Sequence, residues 1–330
     1  MGYGPPAAPA DSRSQEQGKT KGNRRISCVP PQYWYVSLTL NVTSRIRNDS
    51  MSAIGETRVL PEELASARAQ RSMAVPMGLE IYSLRGEAEK DLPATLALIR
   101  KLGFTEVEGG DFYGHSAAEF RKILDSNGLN LTSMMAAYDR LSRDINAVAG
   151  DAHTLGADYV VCSTVPHKKK LTAEDCDRAI ESLNRFGQNL AKAGLRCCYH
   201  IHGIEFGKSA DGTLFDTLAK GTNPNFANFE MDIFWIVFAY QDPVKLLHQY
   251  PGRFPLMHIK DIRKGTVLGG SPGDVLEEAS VPLGTGLVNI PAALRAARET
   301  GVRHYYIEDE AVDAAQQLSE SLRYLESVRL

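Results

Sequence analysis

The sequence predicts an α/β protein of the (β/α)8 barrel class. Eight short runs rich in apolar, β-branched or aromatic residues alternate with amphipathic helical windows, and most of those windows end in a glycine directly ahead of the next run. The runs are 78–83, 104–108, 129–136, 158–162, 195–202, 229–233, 254–260 and 304–308. An open doubly wound sheet would carry a glycine-rich turn after its first strand, whereas here the first run continues S-L-R-G-E from Ser83 to Glu87. A closed parallel barrel is therefore expected.

The intervening helices have readable ends. Ser116 and Glu119 fit a capping box, and Asp242 and Asn289 stand just ahead of Pro243 and Pro291, where a cap meets a first-turn proline. Cys176, Ala179, Ile180, Leu183, Phe186 and Leu190 fall on one stripe at helical spacing. Gly103, Gly128, Gly156, Gly194 and Gly301 sit where a left-handed stop would close a helix.

The totals narrow the function. The chain has 330 residues and a formal net charge of −3, without the cationic excess of a nucleic-acid binder. No run is long enough for a membrane-spanning helix. Five cysteines, without C-x-x-C spacing, read as buried free thiols of a cytoplasmic protein. Residues 1–75 are different in composition and read as a poorly ordered extension ahead of a catalytic barrel over 76–330. Their atypical character leaves export open.

Active sites of such barrels lie at the C-terminal ends of the strands. Glu108, His200, His202, Glu205, Asp232, His258, Lys260, Glu308 and Glu310 gather there. His200 and His202 share one face of a strand, as do His258 and Lys260. Facing buried carboxylates repel unless a cation neutralises them. His200, Asp232, His258 and Glu308 together offer two imidazoles and two carboxylates, a mixed set suited to one divalent metal. Mn²⁺ is expected first, with Co²⁺, Zn²⁺ or Mg²⁺ as alternatives; a metal-free polar cluster is the competing reading.

At these residues the chain resembles the sugar phosphate isomerase/epimerase family, the xylose isomerase-like TIM barrels, which include tagatose epimerases, hydroxypyruvate isomerases and inosose dehydratases. The stretches that carry the resemblance are G-L-E-I-Y-S-L-R at 78–85, V-E at 107–108, Y-H-I-H-G-I-E-F at 199–206 and M-D-I-F-W at 231–235, then H-I-K-D at 258–261, P-L-G-T-G at 282–286 and Y-Y-I-E-D at 305–309. The resemblance implies one divalent metal held by Glu, Asp, His and Glu from four strands. Asp232, His258 and Glu308 match the last three, and His200 stands where the first glutamate is implied. A metal-bound imidazole is a poor base, so Glu308 is the expected proton carrier, assisted by His202 or Lys260. Nuclease relatives carry a histidine three positions after the strand-six aspartate; Trp235 stands there in this chain, against a role in DNA repair.

A metal-dependent isomerase or epimerase of a sugar or keto-sugar is thus expected, acting through an enediolate. A dehydratase or lyase using the same enolate is the alternative, as is a non-catalytic sugar-binding barrel. Tyr82, Arg85, Glu108, Glu205 and Trp235 are expected to contact the substrate. Arg85 would grip an anion or pair with Glu108, and Trp235 would wall a sugar face. Lys260 also has a plainer use, a salt bridge to Asp261 or Glu308. The glycine-rich segment 261–288 reads as a lid or an oligomer contact. Gly284-Thr-Gly286 could offer amides to a phosphate, but a turn is the expectation. The partner is a small sugar-like molecule, with no nucleic acid or membrane, and homo-oligomer formation is left open.

Overall fold

A computed structural model describes residues 77–270 and 277–329. The expectations for residues 1–75, Cys28 among them, lie outside the described residues, as does the middle of the segment 261–288. Eight parallel strands close into a barrel: β1 (Met77–Glu80), β2 (Glu106–Gly109), β3 (Asn130–Ala136), β4 (Tyr159–Cys162), β5 (Arg196–His200), β6 (Ala227–Asp232), β7 (Leu256–Ile259) and β8 (His304–Ile307). They run in sequence order around the ring. The seam is made by β1 on β8, with Met77 opposite Tyr305 and Leu79 opposite Ile307.

The helices begin and end as their caps dictate. Ser116 and Asn289 cap Ala117–Asn127 and Ile290–Thr300, and Asp242 caps Pro243–Gln249 with the proline in the first turn. Gly103, Gly128, Gly156 and Gly301 stop helices with left-handed backbones. The long helix Ala173–Lys192 buries Cys176, Ala179, Leu183, Phe186 and Leu190, the expected stripe. Among the described residues, no helix is long and apolar enough to cross a membrane.

Alternation along the strands separates two cores. One face packs on the helices through residues such as Leu79, Val160, Cys197 and Ile259. A second, smaller cluster of Tyr159, Val161, Cys198, Leu256 and Tyr306 comes from the alternate positions, which fill the barrel. Two residues further along the same rows stand His200, His258 and Glu308. The site is thus the polar end of the row that fills the interior. Cys162, Cys176, Cys197 and Cys198 are buried free thiols.

Two glycines within helices test the packing. A Cβ on Gly187 would collide with the Phe226 carbonyl, whereas Gly150 has nothing within 4 Å. Gly187→Ala is expected to destabilise by about 1–3 kcal/mol. Gly150→Ala should stabilise by roughly 0.5–1 kcal/mol. Urea unfolding of the two variants checks both signs.

Candidate active site

The site is built from carboxylates and imidazoles on six strand ends. β1 gives Glu80, β2 Glu108, β5 His200, β6 Glu230 and Asp232, and β7 His258; Lys260 follows β7 and Glu308 follows β8. All eight are buried, and Glu108, Glu230 and Asp232 have no exposure at all.

Two buried carboxylates orient the two imidazoles. Nδ1 of His200 lies 2.8 Å from Glu230 Oε2, which leaves Nε2 facing Asp232 Oδ2 at 3.8 Å. Nε2 of His258 lies 2.6 Å from Glu108 Oε2, and Nδ1 then faces Glu308 Oε2 at 2.8 Å and Asp232 Oδ2 at 4.0 Å. Glu108 is itself fixed, since Ser133 Oγ donates to its other oxygen at 2.5 Å. A histidine held by a carboxylate on one nitrogen while the other faces further carboxylates is an arrangement that metal sites use. Glu230→Ala should therefore weaken divalent-metal affinity by about 10–100-fold. Competition against a chelator measures this.

The atoms at the centre are close enough to one another to be candidate ligands of one ion. One ligand atom each from Asp232, His258 and Glu308 lies within 4.8 Å of the others. Two ligands each about 2.1 Å from one ion are at most about 4.2 Å apart, and the separations of 2.8 and 4.0 Å meet that limit. Asp232 Oδ2 is fully buried and accepts no hydrogen bond, and the Lys260 ammonium stands 3.3 Å from it. Of the four expected ligands, Asp232, His258 and Glu308 thus lie close together, while His200 forms a second such group with Glu230 and His258. His200 stands beside them on the Asp232 side.

Lys260 makes the plainer of its expected contacts, a salt bridge to Glu308, within a wider cluster of carboxylates. Its ammonium is 3.3 Å from Asp232 Oδ2 and 3.0 Å from Glu308 Oε2, and it also pairs with Glu310. Burial opposes its charge, but these three carboxylates raise its pKa well above the ordinary lysine value. Burial likewise opposes ionisation of Glu308, yet Lys260 and His258 hold it well below the usual carboxylate range. Asp232 is pushed up by burial to about 6, against the pull of Lys260. Burial and the neighbouring imidazoles keep His200 neutral, and burial with Lys260 lowers His202 to about 4. Burial and Glu108 raise Glu230 well above its ordinary value.

Above this floor opens a cavity of about 400 Å³, lined by Tyr82, His200, His202, Trp235, His258 and Glu308, with Glu80, Asp111, Tyr113 and Glu310 also on its walls. The rings of His200 and His202 are 4.6 Å apart, although β5 ends at His200. Trp235 lies over the Lys260 ammonium at 5.5 Å. Three residues expected to touch substrate do not line the cavity. Glu108 lies under His258; Glu205 turns away, accepting from the Tyr199 hydroxyl at 2.5 Å and the His202 amide at 3.2 Å. Arg85 pairs not with Glu108 but with Glu277 at 2.9 Å, its guanidinium 4.5 Å over the Tyr82 ring. Glu80 and Glu230 were not anticipated, although Glu230 lies two residues before Asp232 and so on the same strand face.

The model of the xylose isomerase-like TIM barrel family matches residues 96–328. Inosose dehydratase of Geobacillus kaustophilus is 25% identical over 190 residues, 51% of this chain and 61% of that protein. This chain therefore spans less than two thirds of that relative's length. A sugar phosphate isomerase/epimerase from Parabacteroides distasonis is 27% identical with a TM-score of 0.63, over 78% of this chain and 96% of that one. The IOLI protein with a bound zinc atom shares the fold at 15% identity, over 77% of this chain and 98% of that one, with a TM-score of 0.61.

Proposed function

This chain belongs to the xylose isomerase-like TIM barrel family, and on that premise we propose that it is a divalent-metal-dependent enzyme that removes a carbon-bound proton beside the carbonyl of a polyhydroxy ketone. The observation that supports the reading is the approach of one ligand atom each from Asp232, His258 and Glu308 to within 4.8 Å of the others, beside a cavity of about 400 Å³. An ion held there, with His200 beside it, would withdraw electron density from a ketone and acidify the adjacent C–H.

The chain's own residues supply the rest. Glu308 lines the cavity as an ionised carboxylate and is the group assigned to accept the proton, although the Lys260 and His258 that keep it ionised also weaken it as a base. His202 lines the same cavity as a neutral imidazole, with one N–H to give and one lone pair to receive. Trp235 and Tyr82 offer apolar faces to a ring.

Proton removal can lead to two products. Epimerisation asks for a proton carrier on each face of the substrate, and the residue on the strand-five side is His200, whose Nδ1 is committed to Glu230. Loss of a β-hydroxyl needs one base and one nearby acid, the roles of Glu308 and His202. The inosose dehydratase relative supports the same choice. Dehydration is accordingly the preferred reading, ahead of the isomerisation expected from sequence. Isomerisation is the second reading, favoured by the Parabacteroides neighbour. The zinc of the IOLI neighbour sets Zn²⁺ beside Mn²⁺ as the ion to test first.

Incubating metal-loaded protein with a keto-inositol and with keto-hexoses in D₂O decides the matter by NMR and mass. Loss of one water supports the lyase; deuterium wash-in at retained skeleton mass supports the isomerase. No exchange and no elimination from any of these ketones would sink the enolate reading.

A further inference from the structure

We propose that Glu80 and Tyr113 grip one hydroxyl of the substrate, which donates to the glutamate and accepts from the tyrosine. The inference rests on the enolate reading above and adds to it the side chains that orient the bound ring.

Glu80 ends β1, and the fold uses only half of its carboxyl group. Oε1 accepts from the Tyr82 amide at 3.3 Å and so caps the short turn Ile81–Leu84. Oε2 is buried and has no hydrogen-bond partner. The residue is 5% exposed and lines the cavity. A buried polar atom without a partner costs free energy, which a ligand that supplies the partner recovers. The other carboxylates on the cavity walls are otherwise engaged. Glu308 and Glu310 pair with Lys260, while Asp111 is exposed to solvent and accepts from the Tyr113 amide at 2.8 Å.

Tyr113 reaches the cavity through an unusual backbone. Its φ is +50°, a left-handed conformation that a bulky side chain seldom adopts, and Gly114 follows at +79°. The bond from its amide to Asp111 holds this turn in place. Gly110, just before it, has no room for a Cβ, which would lie 2.3 Å from the Met135 carbonyl oxygen. Such strain persists where the surroundings fix it, and it gathers at binding sites. Here it sets a phenol on the cavity wall. Burial, with Glu80 and Asp111 nearby, raises the Tyr113 pKa, so the group remains an O–H donor. A carboxyl group keeps acceptor capacity whether or not it is protonated. One acceptor and one donor together match an alcohol, which is both. Four places round the ring from β1 stands β5, followed by His202 on the cavity wall. A hydroxyl held at Glu80 would thus anchor the ring across the cavity from that imidazole.

Calorimetry on metal-loaded protein tests this with a keto-inositol and the set of its monodeoxy analogues. The wild type should bind the analogue that lacks the gripped hydroxyl about 10–100-fold more weakly than the parent ketone. Tyr113→Phe, which removes a single oxygen, should weaken the parent about 3–10-fold and leave that analogue unaffected. Glu80→Met, of similar length but without polar atoms, should weaken the parent further and narrow its advantage over the analogue to less than about tenfold. Unchanged affinity for the parent in both variants, or an advantage kept at full size in Glu80→Met, overturns the grip while leaving deuterium exchange, and hence the enolate reading, intact. Loss of metal from Glu80→Met overturns it too, because Glu80 would then belong to an ion with Glu108 and His258, to whose ligand atoms it is close. A wild type that neither binds nor exchanges any of these ketones overturns both readings. If Glu80→Met does not fold, Tyr113→Phe decides: a ratio of parent to analogue equal to that of the wild type refutes the grip.

Discussion

Lys260→Met is expected to lower the melting temperature of metal-stripped protein by roughly 10 °C. The ammonium is 1% exposed and stands against Asp232, Glu308 and Glu310. Removing one partner of a buried ionic cluster costs about 3–5 kcal/mol, because the charges left behind have neither water nor counterion. For a domain of this size each kcal/mol moves the midpoint by about 2–4 °C. A divalent cation would restore positive charge to the same carboxylates, so metal should stabilise the methionine variant more than the wild type. Scanning calorimetry of the stripped and loaded forms checks both parts. Equal melting of the two stripped proteins would mean that Lys260 does not neutralise the cluster.

Glu308→Gln should reduce turnover of the keto-polyol by about 10³-fold or more. This carboxylate meets His258 at 2.8 Å and Lys260 at 3.0 Å and also faces the cavity, so the amide loses charge in three relationships at once. Metal content must be measured alongside. Loss of turnover with metal retained identifies Glu308 as a proton carrier; loss of both identifies it first as a ligand. Loading also depends on Asp232, which binds a cation only when ionised. Because burial pushes its carboxyl up to about 6, affinity for the ion is expected to fall as pH drops below that value. Chelator competition across pH 5–8 follows the loss.

The barrel was legible because strand–helix alternation and caps are local signals. Ser116 with Glu119, Asp242 with Pro243 and the glycine stops act within one turn of chain, and each appears where expected. Strand ends were less legible. His202 and Lys260 lie past the last paired residue of their strands, yet both remain within reach of the site. Glu230 is flanked by Phe229 and Met231 in an apolar stretch, and its role depends on an imidazole 30 residues earlier. No local pattern announces that pairing, although counting back two from Asp232 would have placed Glu230 on the inner face. Asp261 illustrates the same rule from the other side. Next to Lys260 in sequence it suggests an ion pair, but neighbours on extended chain point opposite ways, and its oxygens reach the amides at 284–288 instead.

The seam of the ring has a consequence for biogenesis. β1 must find β8, and the tie from Asp309 to Ser83 spans 226 residues. Until the last strand leaves the ribosome, Met77–Glu80 presents an unpaired edge, a template for adhesion to other nascent chains. Closure that waits on so long-range a pairing is expected to be slow. A chain lacking residues from 304 onward would have no β8 to close the ring on β1.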